Sequence, residues 1–488
     1  MLTTAERQPA ETGRSVDGRS VDSRSVDRHR GSVAPAGRRT VPRWWRDAVG
    51  SLTWASVLVV VALWLAGGGL QGLSGLSAGL TSVGRLTGLV SSDLLLIQVL
   101  LMARIPMVER VYGQDELARR HRLVGFTSFT LMVAHIVSIT LGYAGQSSAN
   151  PIATFWDFTV NYPGMLLAIA GTALLVLVTV TSIRKARKKL RYESWHLLHL
   201  YAYLGVGLAL PHQLWTGHEF LSNPVATAYW WSLWAAAAGA ILVWRVGVPV
   251  YRTIAHDLRV SAVVRESPGV ISVWMTGRNL DRLPVAAGQF FTWRFLSGPG
   301  WTRGHPYSLS AAPTADRLRI TVKDLGDGSR ALAHVRPGTR VAIEGPFGRL
   351  HQGVRTLAGV TLLASGIGVT PLRALLEELP QNPGDVTLIY RASTADDLVL
   401  KSEIDALAQQ VGARVFYVLG HRMAGRDSWL PQAAAHLSDT EALLELVPHI
   451  ADQDVYLCGA QAWMDAAKRA ALAAGVSEQH IHEERFAW

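Results

Sequence analysis

The sequence predicts a multidomain membrane protein: a six-helix transmembrane bundle, then an antiparallel β-barrel, then a doubly wound α/β domain. Three observations lead there. Up to about residue 250 the chain is dominated by apolar runs near the ~20 residues needed to cross a bilayer. Two of those runs carry histidines in matched pairs, His121 with His135 and His199 with His212. Beyond about residue 257, short β-branched stretches and glycine turns take over, as in a soluble protein. The expected divisions are 1–48 for a basic tail, 49–255 for the membrane domain, 256–353 for the barrel and 354–488 for the α/β domain.

A length of 488 residues accommodates these parts. The single cysteine, Cys458, excludes a disulfide framework and an iron–sulfur centre held by four cysteines of this chain. A net charge of +10 could suit nucleic acid. Its placement in the tail and beside the apolar runs instead reads as a membrane-orientation signal. The first ~45 residues, with the repeat Arg14–Asp17, Arg19–Asp22 and Arg24–Asp27, are expected to be disordered. They are too polar for a secretory signal, so no cleaved peptide is expected.

Apolar segments are read at 52–70, 84–103, 122–143, 163–183, 196–215 and 229–250. Arg43 and Arg46 precede the first; Arg104, Arg110, Arg119, Arg120 and Arg122 separate the second from the third; Arg184–Arg191 separates the fourth from the fifth. The alternate loops, near 71–82, 144–162 and 216–228, have no Lys or Arg. The positive-inside rule therefore places both termini in the cytoplasm, in a plasma membrane of bacterial type.

Segments three and five then run in the same direction. His121 pairs with His199 near the cytoplasmic face and His135 with His212 near the outer face. The two levels are roughly 20 Å apart, at ~1.5 Å per residue. Histidine is costly in a bilayer core, and two such pairs can supply both axial ligands of two b-type haems. The phase is imperfect: thirteen residues leave His212 about 140° from His199 around an ideal helix. Pro211 can bend or unwind that turn, and His196 is the competing ligand. Asp93, in the second segment, could hold a cation, relay protons, cap a helix or line internal water. Trp230, Trp231 and Trp234 read as interfacial belt residues.

In the soluble half, Leu258–Val264, Val270–Thr276 and Arg317–Val322 read as barrel strands, with the barrel ending near Gly345-Pro346-Phe347-Gly348. His305-Pro306-Tyr307-Ser308-Leu309-Ser310 offers an aromatic ring and a hydroxyl suited to a flat isoalloxazine. Lys323, Gly326, Gly328 and Ser329 suit a pyrophosphate nest. The buried-strand run Gly359–Ser365 leads into Gly366-Ile367-Gly368-Val369-Thr370-Pro371 and a helix at Leu372–Leu379, the strand–turn–helix order that receives a dinucleotide phosphate. Proline replaces the usual third glycine. Arg391, after strand Val386–Tyr390, is placed for an adenosine 2′-phosphate, and Arg422, after Val415–Leu419, is a second candidate. Strand Asp454–Leu457 brings Cys458-Gly459 to the same edge, where the thiol would face a nicotinamide.

Together these motifs resemble the NADPH oxidase and ferric reductase superfamily, over roughly residues 50–488. The resemblance implies a six-helix, two-haem membrane domain joined to a ferredoxin-reductase-type FAD and NAD(P) module. It implies electron flow from cytoplasmic NADPH, or NADH, through FAD and two b-type haems to an acceptor on the outer face: a ferric chelate, oxygen or quinone. It further implies that the terminal aromatic, Trp488 or Phe486, stacks on the flavin, so Trp488, Cys458 and Ser308 become the candidate catalytic residues. Superoxide-forming relatives tend to carry another outer-side histidine where this chain has Ile139, which favours ferric chelates, quinones or a partner haem protein. The alternative is a haem-free, membrane-anchored NAD(P)H:flavin-type reductase; in a third reading the histidines form a proton relay.

Overall fold

The computed structural model describes residues 3–4, 44–187, 192–217, 223–298, 300–379 and 384–485. The tail, Phe486 and Trp488 lie outside these residues, apart from the two-residue strand Thr3–Thr4. The chain divides into two compact units, with the break between Val248 and Pro249.

The first unit is helical: α1 (Trp44–Ala66), α2 (Leu76–Met102), α3 (Pro106–Ser147), α4 (Pro151–Asn161), α5 (Met165–Ser182), α6 (Tyr192–Thr216) and α7 (Pro224–Ala240). A π-helical stretch, Ile241–Gly247, joins α7 to α8 (Val248–His256). Among the described residues, five helices are long and apolar enough to cross a membrane: Asp47–Ala66, Leu76–Met102, Glu116–Ser147, Met165–Ser182 and Pro224–His256. The expected fifth segment does form a helix, α6, of 25 residues. It falls outside that set because His196, His199, His212 and Gln213 dilute its hydropathy.

Two features depart from expectation. Helix α4 occupies what reads as a loop, started by Pro151 and by the Asn150 side chain accepting from Ile152 N (2.8 Å). Trp230 is fully buried rather than at an interface, packed with Val60 and Leu233, whereas Trp231 is half exposed. Asp93 lies in the interior of α2, between three helices. Ser56 of α1 donates to its Oδ1 (2.7 Å) and Tyr229 of α7 does the same (2.6 Å).

The second unit begins with two three-stranded antiparallel sheets. Their strands are β1 (Arg259–Ser267), β2 (Val270–Thr276), β3 (Phe290–Phe295), β4 (His305–Ser308), β5 (Arg317–Lys323) and β6 (Val341–Phe347). The orders are β1-β2-β5 and β4-β3-β6. Bridges Leu309–Ile320 and Arg259–Arg340 connect the two sheets at both free edges. Alternate residues point inward, so Val273, Met275, Phe291, Trp293, Leu318, Ile320 and Ile343 form one apolar core.

The following sheet is parallel apart from Thr3–Thr4. It contains β7 (Gly359–Ser365), β8 (Val386–Ala392), β9 (Arg414–Leu419), β10 (Gln453–Cys458) and β11 (Ile481–Glu484), in the order β9-β8-β7-β10-β11. Helices α10 (Val369–Glu378) and α11 (Lys401–Val411) cover one face; α12 (Asp439–Leu446) and α13 (Gln461–Ala473) cover the other. A short α9 (Asp327–Leu332) precedes β6. Both faces being covered explains the near-continuous apolar strands.

At the start of β10, buried Asp454 accepts from Thr356 N (2.7 Å), Leu357 N (2.6 Å) and His482 Nε2 (2.9 Å). Burial alone would raise the Asp454 carboxyl, but these donors outweigh it and hold it below the usual carboxylate range. A depressed carboxylate stabilises the fold above its unfolded pKa of ~3.9, and that contribution disappears as pH falls through the folded value. Thermal unfolding followed by circular dichroism should therefore lose stability steeply below about pH 4. Asp454→Asn should be less stable at neutral pH and show a shallower acid slope; an unchanged slope contradicts the assignment.

Candidate functional site

The structure brings together the histidines that the spacing pairs. The rings of His121 and His199 meet edge to face, with centroids 5.9 Å apart and planes at 71°. His212 lies within electrostatic reach of His135. A ring nitrogen ~2 Å from a metal puts the imidazole centre ~3 Å away, so two trans ligands have centroids about 6 Å apart. The His121–His199 separation fits that requirement. His199 is the ring that meets His121, edge to face, and α6 continues through Pro211.

Each histidine is also oriented through Nδ1. His121 Nδ1 meets Gln98 O (3.3 Å), His135 Nδ1 meets Gly84 O (2.7 Å), and His212 Nδ1 meets Ala209 O (2.8 Å). His199 Nδ1 meets Ser182 Oγ (3.3 Å). A carbonyl can only accept, so Nδ1 carries the hydrogen in three of the four rings and Nε2 keeps its lone pair for a metal. Gly88 makes one of these positions available: a Cβ there would lie 2.5 Å from His135 Nδ1. Ile139, one turn on, packs against Gly84.

In the barrel, the β4 motif presents the expected surface. The His305 and Tyr307 rings are nearly parallel, with centroids 6.0 Å apart. Trp293 Nε1 donates to Tyr307 O (2.8 Å) and fixes that strand. Burial pushes the Tyr307 phenol up to about 12, so it remains a neutral donor. Ser308 Oγ is buried without a hydrogen-bond partner, a costly state that a flavin ring edge would relieve. Gly328 lies against the His305 ring, bringing the Lys323–Ser329 turn to the same place. Two expected groups are otherwise engaged. Ser329 Oγ accepts from Leu325 N (2.9 Å) and Gly326 N (3.1 Å), and Ser310 Oγ accepts from Arg319 Nε (3.1 Å).

The nucleotide motifs meet at the C-terminal ends of the parallel strands, where ligands of such sheets bind. Cys458 pairs with Ala364 across β10 and β7, which sets Cys458-Gly459 beside the Gly366–Pro371 turn. The approach is so close that a Cβ at Gly368 would lie 2.4 Å from Cys458 O. Thr370 Oγ1 is turned back onto Ile367 O (3.0 Å), while Pro371 sits in the first turn of α10, where a proline is tolerated.

Arg391 lies within β8 rather than after it and is only 6% exposed. It donates to Ala392 O, its Nε has no partner, and no carboxylate pairs with it among the described residues. Arg422 is exposed and pairs with Asp427 (3.0 Å), so its charge is already answered at the surface.

Cys458 is inaccessible in the folded chain. It is the last residue of β10, fully buried with Tyr456 and Ala364 against α10. Burial, with Glu484 beside it, pushes the thiol well up, so it is not a thiolate. Glu484 itself escaped the sequence reading. It ends β11 in register with Cys458, is buried, and accepts from Arg349 N (3.1 Å) just after the barrel's last strand. An acidic residue two before a terminal aromatic stretch was the available signal.

Residues 87–210 match the model for "Ferric reductase like transmembrane component", and residues 362–469 match that for "Oxidoreductase NAD-binding domain". This pair of matches is that of the fused ferric reductase and NADPH oxidase-like superfamily. The apolar helices and the first match mark an integral membrane protein, and the second match a reductase-type FAD and NAD(P) module. The first matched segment holds His121, His135 and His199 and stops two residues before His212; the second holds Gly366–Pro371, Arg391 and Cys458.

Among curated relatives, the ferredoxin reductase component of 3-ketosteroid-9-alpha-monooxygenase from Mycolicibacterium smegmatis is 31% identical over 241 residues, 47% of this chain and 65% of that protein. A flavohemoprotein from Vibrio cholerae is 33% identical over 191 residues, 37% of this chain and 45% of that one. The chain thus spans less than two thirds of their lengths. The FAD/NAD-binding domain of nitric oxide dioxygenase from Vibrio cholerae aligns with a TM-score of 0.38 at 27% identity, covering 47% of this chain and 98% of that domain.

Proposed function

We propose that the protein is a transmembrane flavocytochrome that passes electrons from cytoplasmic NAD(P)H, with NADPH preferred, through FAD and two b-type haems to an outer-face acceptor. The observation that carries this reading is the set of four histidines held through Nδ1, with His121 and His199 at the separation two axial ligands need. FAD, when bound, takes electrons in pairs and releases them singly, and the haem irons carry them one at a time.

This chain's residues would do the rest. Tyr307 and Ser308 hold and orient the flavin ring, and Gly366–Pro371 receives the dinucleotide phosphates. Arg391 supplies a buried positive charge for an adenosine phosphate. Cys458, capped by Glu484, shapes the apolar wall where the nicotinamide rests. His121 with His199, and His135 with His212, would hold the two haems through their Nε2 atoms, and the haems so held would serve electron transfer rather than ligand binding. Ile139 in place of an outer-side histidine favours a ferric chelate over dedicated oxygen reduction, with quinone as a further acceptor. The arginine-rich loops orient both termini to the cytoplasm.

Anaerobic absorbance of the purified full chain tests this. The Soret and α bands should shift with dithionite and then, more slowly, with NADPH. Bleaching of flavin with no Soret band at all would favour the haem-free reductase.

A further inference from the structure

Arg319, on β5, is 2% exposed, and each of its three guanidinium nitrogens donates. Nε and Nη2 bind Ser310, through Oγ (3.1 Å) and the backbone O (2.6 Å). Nη1 and Nη2 grip both oxygens of Glu403 on α11 (2.8 and 2.9 Å). The Trp274 ring lies beneath the guanidinium, 5.0 Å from ring centre to Cζ. Glu403 is shared with Arg373 of α10 (2.9 Å), and Arg373 also pairs with Glu377. Glu377 in turn accepts from Ala312 N (2.8 Å), and its neighbour Glu378 from Ala287 N (3.1 Å).

The two ends of this network matter. Ser310 is two residues beyond Ser308, the last residue of β4, which in the reading above meets the flavin. Helix α10 begins at the Gly366–Pro371 turn that faces the nucleotide. A planar, bidentate cation between them fixes distance and angle in a way a flexible contact cannot. Hydride transfer is steep in exactly those variables, since an ångström of misplacement can cost two orders of magnitude.

We propose that Arg319 is a positioning residue for hydride transfer, setting the nicotinamide against the flavin by clamping the barrel strand to the nucleotide helices. The inference rests on the FAD and NAD(P)H reading above. The step concerned moves one hydride, two electrons with a proton, from the dihydronicotinamide to bound flavin; the nicotinamide leaves oxidised.

Stopped-flow flavin reduction by NADPH in the full-length protein tests it, with flavin content and the nicotinamide–flavin charge-transfer band recorded alongside. In Arg319→Ala the limiting rate should fall at least tenfold and the band should weaken. Flavin content and half-saturating NADPH should change less than twofold. Arg319→Lys should recover part of the rate. If Arg319→Ala does not fold, Glu403→Gln, which keeps the shape but weakens the grip, should give the same split with a smaller fall. Limiting rates within twofold of the parent in the variants that fold, or a loss only in NADPH affinity or flavin content, would overturn the proposal. Absence of flavin reduction in the unmodified protein would instead refute the underlying reading.

Discussion

Replacing His135 or His212 by leucine is expected to halve the haem content, from two equivalents per chain to about one, and to abolish reduction of an outer-face acceptor. Leucine has a similar volume and no lone pair, so the bundle keeps its packing while one axial position is lost. NADPH-driven flavin reduction should be untouched, because Tyr307, Ser308 and Arg391 lie in the other unit. A haem held by the remaining pair, His121 and His199, should still be reduced by NADPH. The converse variants, His121→Leu and His199→Leu, should leave a haem that dithionite reduces and NADPH does not. Haem is quantified by the pyridine haemochrome of each purified variant. If the histidines form a proton relay, all four variants retain the parent's spectrum.

The second large effect is expected at Arg391. A cation this buried, with an unpartnered Nε, is expensive unless a ligand answers it. A phosphate bound by a desolvated arginine contributes ~2–4 kcal/mol, so Arg391→Ala should lower the NADPH/NADH ratio of kcat/KM by about 30-fold or more. Arg422→Ala should alter the ratio less than about threefold, since exposed pairs such as Arg422–Asp427 contribute little. Steady-state kinetics with both nucleotides decides between the two arginines. An unchanged ratio in Arg391→Ala removes it from the 2′-phosphate site, and the buried charge would then belong with the pyrophosphate shared by both nucleotides.

What could be read in advance follows from where each signal resides. Strands Val270–Thr276 and Gly359–Ser365 end where their β-branched runs end, because local pattern and burial agree there. Strands β8 and β10 extend further, to Ala392 and Cys458, and this is why Arg391 and Cys458 are buried rather than displayed on loops. The paired histidines were legible because a bilayer makes each of them costly. Helix α4 was not, being amphipathic and short among polar residues. Trp230 misled because its neighbours are also tryptophans, and only the neighbouring helices determine which of them turns inward. Arg319 carries no local signal, and Glu484 has only its place two residues before Phe486. Their partners, Arg349, Ser310 and Glu403, lie between 9 and 135 residues away and meet them only in the folded chain.

Reconstitution of the full chain into sealed vesicles gives the most direct test of transmembrane electron flow. Ferric citrate would be trapped inside, with NADPH supplied only to molecules whose nucleotide-binding unit faces outward. Ferrous iron should accumulate in the lumen at a rate that follows haem content, and none should accumulate with His135→Leu. Rapid flavin reduction in intact vesicles with fully loaded haem, but no luminal reduction of ferric citrate, quinone or oxygen, would contradict the proposed route.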